Sequence, residues 1–430
     1  MRNSNIKFFL VFSAVLIAPL LYWYIFIRPG FLLSEAMRSR DNLTALELAK
    51  DSRLDPAQSY VCSAFLAIRL RDFPAAKQHL ENARRKGADE TQIFRIEALI
   101  EAQSGRLDAV ESVITEWLLD PGEYLSDICD AYTNGLAAQG RQEEAERLLA
   151  AWQGDCPEDP KPPFYWGRFA EHVLNVGEAE KQYRSALAKN PNFPVVLYAL
   201  GRLLLKRKEP EKALPLLVLC GEVDSETKPA VDIAAAACHR LLGETAQARA
   251  LVTSVLELPR KQIDDSYRRL STRRYGMSAA FEFAELEKEA GNFESAMQNY
   301  QIAAKRTPEN LDVQYGIAMA LRGLGKSEEA KSQLEYVSEA RAQIAKSEKW
   351  RDKLVTNPRD AEARYNVGII YLKYHSTEVG LFWLRTALAC DPMHAPTHRV
   401  LYEYYSSHLN ENPRYLELAE THKQRLAEIE

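Results

Sequence analysis

One stretch of the chain carries the residue types that a nucleotide-binding loop needs. Residues 320–327 read Ala-Leu-Arg-Gly-Leu-Gly-Lys-Ser, a relaxed form of the loop in which backbone N–H groups and a lysine hold phosphate. A true loop follows a β-strand and opens a helix. Here Ala320 lies inside a helical pattern, and Gly325-Lys326-Ser327 lies at a turn between two helices. We interpret the match as coincidental. Nucleotide hydrolysis through Lys326 stays an alternative that a lack of ATP binding would eliminate.

Histidine and cysteine spacing bears on metal binding. His394 and His398 are four residues apart, a spacing that lets two imidazoles on one helix face hold a metal, and His408 follows. Pro396 lies between the first two at a helix start, and no carboxylate or cysteine completes the set. The six cysteines form no CxxC or CxxCH motif, so redox, haem and ordinary zinc-ribbon sites are not indicated. We expect no metal and no cofactor.

A basic cluster surrounds residues 260–276. Contact with anionic lipid, RNA or an acidic protein is one interpretation. The alternative, which we prefer, is a solvated helix in which Asp264 and Asp265 pair with arginines four residues later. The whole chain has 55 Lys plus Arg against 60 Asp plus Glu, a formal charge of −5, which argues against a general nucleic-acid binder. RNA binding therefore stays an alternative confined to this cluster. Its members are Arg260, Lys261, Arg268, Arg269, Arg273 and Arg274.

No familiar catalytic motif occurs elsewhere. The chain lacks a nucleophile elbow, a zinc-protease motif and a dinucleotide fingerprint. Its 430 residues, 46% apolar and 27% charged, are sufficient for a sizeable core, arranged as about three domains or as one repeat array. The sequence therefore predicts a protein that is not an enzyme.

The N-terminal region predicts a membrane anchor. Residues 8–27 are uncharged, and 20 residues of helix span about 30 Å, the thickness of the hydrocarbon core. Tyr22, Trp23 and Tyr24 fall where an aromatic belt would lie. A cleaved signal peptide has a shorter apolar region and a small-x-small cleavage site, and neither is present. We expect a short basic tail at residues 1–7 and an uncleaved transmembrane anchor at residues 8–27.

Orientation of the anchor depends on its flanks. Arg2 and Lys7 precede the span, and the arginines after it balance them. A short basic tail is easier to retain than to translocate. We expect the rest of the chain on the exported side of the membrane.

After the anchor the sequence is periodic. Segments 277–310 and 361–394, 34 residues each, share apolar and small residues three or four positions apart, the spacing of one helix face. Small residues let two helices approach closely, and a proline at the same offset stops the second helix of each segment. The shared positions are Ala284, Ala296, Tyr300, Ala303 and Pro308 in the first segment, and Gly368, Gly380, Leu384, Ala387 and Pro392 in the second.

This pattern resembles the tetratricopeptide repeat, and about ten units of it cover nearly all of the chain after the anchor. The resemblance implies an all-α, right-handed superhelical solenoid of about ten antiparallel helix pairs. We assign an N-terminal repeat block to residues 31–259, a charged insertion to 260–276 and a C-terminal block to 277–427. Residues 341–360 form a helical extension within the last block.

The resemblance also implies a concave groove lined by the first helix of each pair. Arginines with aromatic residues would suit a partner carrying acidic and apolar side chains; the alternative is that several of these residues pack against neighbouring units. Paired Lys and Asn residues that clamp a C-terminal carboxylate in some members of the family are not found on three consecutive units. The groove positions are Arg95, Tyr198, Arg202, Phe281, Tyr315, Arg322, Tyr365, Ile369 and Arg399.

Two cysteines fall at matching ends of one helix pair. Cys129 begins the first helix of its unit and Cys156 ends the second, and these ends are adjacent in an antiparallel hairpin. In an exported protein a disulfide between them is possible.

The features together predict a membrane-anchored, non-catalytic scaffold that binds another protein or peptide segment in its groove. The alternative is a regulatory or assembly subunit of a membrane enzyme or envelope complex, acting through its convex face or the insertion.

Overall fold

The computed structural model describes residues 28–39, 42–270, 278–412 and 414–429, and in these ranges the chain is helical without a β-strand. Consecutive helices pack in pairs, so the predicted all-α array of paired helices is confirmed. The chain divides into two compact units, Met1–Gly135 and Leu136–Glu430, here called unit 1 and unit 2.

Unit 1 contains short helices followed by stacked pairs. The buried Arg69 ties three of them together, since it donates to Asp127 (2.7 Å) and to the main-chain oxygen of Met37 (2.8 Å). The helices are α1 (Arg28–Ser39), α2 (Asn42–Leu48), α3 (Pro56–Arg69), α4 (Phe73–Arg85), α5 (Glu90–Gln103), α6 (Glu111–Leu119) and α7 (Leu125–Ala138), which ends just past the boundary of unit 1.

Unit 2 contains the longer array. Its helices are α8 (Gln142–Asp155), α9 (Lys161–His172), α10 (Val176–Lys189), α11 (Pro194–Lys206), α12 (Pro210–Val223), α13 (Lys228–Leu241), α14 (Thr245–Leu256), α15 (Arg260–Arg269), α16 (Ala279–Glu289), α17 (Phe293–Ala304), α18 (Leu311–Gly323), α19 (Ser327–Thr356), α20 (Ala361–Tyr374), α21 (Thr377–Cys390), α22 (Ala395–Ser407) and α23 (Tyr415–Ile429).

Small residues set the distance between paired helices. A Cβ atom built on Gly368 of α20 would lie 2.8 Å from Cγ of Leu384 in α21, and one built on Gly167 of α9 would lie 2.5 Å from the ring of Tyr183 in α10. Since real contacts at that distance do not occur, only glycine permits this packing. The close approach expected at Gly368 is therefore present in the structure.

No helix in the described ranges is both long enough and apolar enough to cross a bilayer. The anchor predicted at residues 8–27 lies outside those ranges.

The end of unit 2 returns to its beginning. Helix α19 has 30 residues and continues past the length of its partner α18. Arg351, near the end of α19, lies with its Nη1 3.5 Å from the main-chain oxygen of Val173, just after α9. Val173 and Leu174 also pack against an apolar cluster that includes Phe382 of α21. Helices α19 and α21 therefore contact the start of unit 2, and we call this closed arrangement of helices α8 to α21 the ring.

Polar and charged side chains also lie near the contact between α9 and α21. The ring of His172 lies 4.5 Å from that of Phe382, and its Nε2 is 4.0 Å from a carboxylate oxygen of Glu378. Burial lowers the pKa of His172 to about 4, although Glu378 opposes the shift. Glu309 accepts hydrogen bonds from the backbone N–H (3.1 Å) and hydroxyl (2.8 Å) of Thr377, which fixes the α20–α21 turn.

A second closing contact involves Gly140 in the turn before α8. Its φ is +76°, and a Cβ atom there would lie 2.5 Å from the main-chain carbon of Arg385 in α21. Gly243, in the turn between α13 and α14, has a similar φ of +80°, but a Cβ there would meet nothing within 4 Å. The two glycines thus share a backbone conformation but differ in their surroundings.

This difference predicts unequal effects of alanine. Gly243→Ala should lower the free energy of unfolding by about 1–2 kcal/mol, because alanine is strained at positive φ. Gly140→Ala should lower it by roughly a further 1–3 kcal/mol, because α21 must also move away. Denaturant unfolding of both variants measures the difference, and equal losses would mean that the Gly140 contact does not hold the ring closed.

Candidate binding cavity

A cavity of about 630 Å³ lies inside unit 2. The first helices of successive pairs, α9, α11, α13, α16 and α18, line one side of it, and the α20–α21 turn lines the other. The closure of the ring therefore converts a concave wall into a cavity with opposed sides.

The insertion helix α15 packs against this wall. Its buried Tyr267 packs edge-on against Tyr198 of α11, with ring centroids 6.4 Å apart. Leu270, just after α15, also lines the cavity. Tyr198 is consequently only 2% exposed, and burial raises its pKa to about 12. The insertion thus packs inward at these residues.

Glu171 and Arg202 form a half-buried ion pair in the wall. Arg202 Nη2 lies 3.2 Å from one Glu171 oxygen, and the hydroxyl of Tyr183 donates to the other at 2.6 Å. Burial raises the pKa of Glu171, but Arg202 and Lys206 outweigh it, so the net pKa is lowered. Glu171 is therefore ionised at neutral pH and holds α9 to α11.

A second network joins α13 to α16. Arg240 lies 3.0 Å from Glu282, 3.6 Å from Glu285 and 3.2 Å from Glu289. Lys288 pairs with Glu285 at 2.7 Å, and the hydroxyl of Tyr300 donates to Glu285 as well. Burial raises the pKa of Glu282 despite the nearby Arg240. These charged side chains pair with one another and stabilise the wall of the cavity.

Four further cations line the cavity without an ion pair to any described residue: Arg168, Lys206, Lys208 and Arg341. Lys206 and Arg341 are exposed, and Arg341 lies over the ring of Tyr315 at 5.7 Å. The neighbouring Arg202 is the main cause that lowers the pKa of Lys206. Asp312 is an exposed carboxylate on the same wall. Lys208 is a third exposed cation, and Glu378 on the opposite side is a second accessible carboxylate, 31% exposed. The accessible part of the cavity therefore carries one more positive than negative group, which favours anionic groups.

The predicted groove residues fall in several places. Tyr198, Arg202, Phe281 and Tyr315 line the cavity. Tyr365 and Ile369 pack against the cluster of Leu381, Leu384 and Leu401, whereas Arg322 and Arg399 belong to α18 and α22 and do not line the cavity. Arg95 is in unit 1, with its guanidinium 5.5 Å from the ring centroid of Trp117. A role of these residues in partner binding stays a prediction.

Sequence reasoning missed the cations that are accessible. Lys206 follows Arg202 by four residues, so it lies on the same face of α11 one turn later. The four-residue spacing therefore indicates that Lys206 faces the same side as the predicted groove residue Arg202. The sequence could not place Arg341 in the cavity, because the length of α19 beyond the repeat does not determine the direction of that helix relative to the others.

The phosphate-loop pattern and the basic cluster both lie in ordinary structural positions. Gly325 has φ +76° in the turn between α18 and α19, and Lys326 lies 3.5 Å from Glu329, so the phosphate-loop pattern is an inter-helix turn with a helix before it. In the basic cluster, Arg260 pairs with Asp264. Asp265 pairs with Arg268, three residues later, and Arg269 pairs with Asp224, so the predicted pair of Asp265 with the arginine four residues later is wrong. Residues 271–277, with Arg273 and Arg274, lie outside the described ranges.

The structure also places the histidines considered as metal ligands and the cysteines considered for a disulfide. His394 caps α22, and His398 contacts His422. In the described part of the chain no group of three His, Cys, Asp or Glu residues is arranged to hold a metal. Cys129 is buried and Cys156 half-buried, and their disulfide stays a prediction.

Comparisons with known proteins identify the repeat. The tetratricopeptide repeat matches residues 183–214, from α10 into α12, and residues 281–343, from α16 into α19. No curated protein sequence matches the chain.

Several solved structures are similar at low identity. The APC/C hetero-tetramer Cut9–Hcn1 has 13% identity over 93% of this chain and 75% of that chain, with a TM-score of 0.42. A human IFIT1 dimer with m7Gppp-AAAA has 14% identity over 91% and 95%, with a TM-score of 0.40. YrrB, a tetratricopeptide repeat protein with an unusual peptide-binding site, has 19% identity over 51% and 96%, with a TM-score of 0.26. At such scores, what those proteins bind is not carried over. The two matched segments of this chain are tetratricopeptide repeats, as the sequence predicted.

Proposed function

We propose that this protein is a membrane-anchored, non-catalytic scaffold that captures a segment of another polypeptide in the cavity of unit 2. The observation that carries the proposal is the set of accessible cations, Arg168, Lys206, Lys208 and Arg341, in a cavity whose other arginines are already paired. An unpaired cation gains more from an incoming carboxylate than one already neutralised by a neighbour.

The chemistry of the cavity favours a partner with acidic and apolar side chains. Tyr315 is 40% exposed beside Arg341, so an apolar group can contact the ring while a carboxylate meets the guanidinium. Phe281 is half-buried on the neighbouring wall. An aromatic surface next to a cation is a common feature of protein interfaces.

Membrane attachment is supported by the sequence alone. The uncharged span at residues 8–27 has the length of a bilayer-crossing helix. An anchor would raise the local concentration of the cavity for partners in the same membrane. We place the repeats on the exported side, and a reporter fused to the C-terminus tests that orientation.

In this proposal Arg202 stabilises the wall of the cavity, whereas Lys206 contacts the partner. Its guanidinium is occupied by Glu171, so a charge change there would disturb folding as well as binding. Lys206, one turn later and exposed, forms no ion pair with a described residue, so a change there disturbs the wall less than a change at Arg202.

The main prediction concerns Lys206→Glu. Crosslinking in the native membrane should recover the cavity's partner about tenfold less efficiently from this variant, equivalent to about 1.4 kcal/mol of binding. Lys212→Glu is the matched control, because Lys212 is 66% exposed on α12 and does not line the cavity. Both variants should retain the helical circular dichroism of the unchanged protein.

The results for these variants distinguish the scaffold function from the regulatory or assembly alternative. Equal recovery from Lys206→Glu and the unchanged protein would reject the cavity as the binding site. If recovery from Lys206→Glu stayed unchanged but recovery fell after charge reversal on the convex helices, the regulatory or assembly alternative would be favoured.

A second prediction concerns the wall. Arg202→Met should lower the free energy of unfolding by about 2 kcal/mol, because Glu171 is left half-buried without its counter-charge. Adding Glu171→Met should restore part of that loss. Denaturant unfolding of the single and double variants gives the coupling, and additive losses would mean that the pair does not hold the wall.

A further inference from the structure

The last two helices of unit 2 are joined by a contact between two histidines. Nδ1 of His398 in α22 lies 2.9 Å from Nδ1 of His422 in α23. The residues are only 4% and 9% exposed. This contact is not used by the cavity, which lies elsewhere in unit 2.

The hydrogen-bond network fixes the protons. Nε2 of His398 lies 3.0 Å from the main-chain oxygen of Pro392, which can only accept, so that nitrogen carries a proton. Nδ1 of a neutral His398 is then bare and accepts. Nδ1 of His422 must therefore be the donor in the contact between the rings. With both imidazoles neutral, these are the tautomers that satisfy both contacts.

Among the described residues, His398 is the charged or titratable group whose electrostatic effect shifts the pKa of His422, and no carboxylate does so. The ring of His422 stacks on that of Tyr405, 5.7 Å away and tilted by only 7°. Both belong to the region where Leu401, Tyr405 and Tyr415 form an apolar cluster. Burial, followed by the neighbouring His398, lowers the pKa of His422 to about 4.

Charged groups on the adjacent elements are engaged elsewhere. On α23, Lys423 and Glu420 pair with each other on the exposed side at 3.7 Å. On α22, Arg399 and Glu403 lie close enough to Tyr365 of α20 to shift its pKa in opposite directions. The next set lies on α21 and the turn after it. Arg385 donates to the main-chain oxygen of Leu381, Asp391 accepts from the backbone N–H of Met393, and His394 lies 3.0 Å from Glu362.

An added proton would place a positive charge on two rings that are only 4% and 9% exposed. A proton on Nδ1 of His398 keeps the contact only if the proton of His422 moves from Nδ1 to Nε2. In either arrangement the charge lies beside the apolar cluster, where its solvation by water is reduced. When α23 separates from α22, water solvates either charge.

We propose that the His398–His422 contact is an acid-sensitive latch that holds helix α23 on the end of unit 2 and releases it when an imidazole is protonated. Release uncovers the face of α22 formed by Leu401 and Tyr405, which are 0% and 2% exposed in the latched state. Acidification thereby creates an apolar surface that is absent at neutral pH.

The direction with pH follows from the lowered pKa. The histidine of a released helix titrates near its ordinary value of about 6.5, and that of the docked helix near 4. Docking is complete above the higher value and weakens as the pH falls from about 6.5 towards 4. For His422 alone, the docking equilibrium constant should fall about 20-fold between pH 7 and pH 5.

Hydrogen exchange of the full chain in detergent tests the latch. After correction for the intrinsic effect of pH on exchange, amide protection in α23 should fall about 20-fold from pH 7 to pH 5. Amides of α9 provide an internal reference for any general loss of stability, including that from the buried His172. Protection in α23 that stays constant, or falls only as much as in α9, would overturn the proposal.

Substitutions assign the effect to the contact. His422→Gln retains a donor for Nδ1 of His398 but cannot titrate, so it should remove most of the pH response while α23 stays docked. His422→Phe keeps the stacking on Tyr405 and serves if the glutamine variant loosens α23 at both pH values. His408→Gln, at the end of α22, is the control and should respond as the unchanged protein does. A full pH response in both His422 variants would also overturn the latch.

Discussion

A pair of amphipathic helices cannot bury its apolar face alone, and the rest of this structure depends on that constraint. Each pair in a unit covers the next, and the distance between paired helices is set where a glycine meets a large side chain, as at Gly167 with Tyr183 and Gly368 with Leu384. Such contacts leave little freedom in the angle between neighbouring pairs. The curvature of an array is therefore a sum of local packing choices.

In unit 2 that sum closes a ring. Val173 and Leu174 meet the cluster around Phe382, and Gly140 meets the main chain of Arg385. These contacts join segments about two hundred residues apart in the sequence, and the helix pairs between them are already folded. The contacts are made of apolar groups and main-chain atoms, which pack closely. The cavity exists because this closure sets the α20–α21 turn opposite the first helices of the earlier pairs.

The charges in the cavity fall into two classes. Arg202 and Arg240 are neutralised by carboxylates of neighbouring pairs and stabilise the wall. Lys206 and Arg341 are exposed and unpaired within the described chain, and they leave the accessible surface positive. The same residue types thus stabilise the fold in one case and stay accessible in the other, depending on whether a carboxylate lies opposite.

The sequence by itself determined the helical pairing, the repeat and the turn at Gly325, because these depend on contacts three or four residues apart or on the conformation of one residue. The sequence did not distinguish Arg202 from Lys206, one turn apart on α11, since their difference lies in Glu171 on another helix. Nor did it indicate that α19 would bring Arg351 to Val173. Only the tertiary structure decided these features, because small rotations between successive pairs accumulate along the array, and local periodicity records none of them.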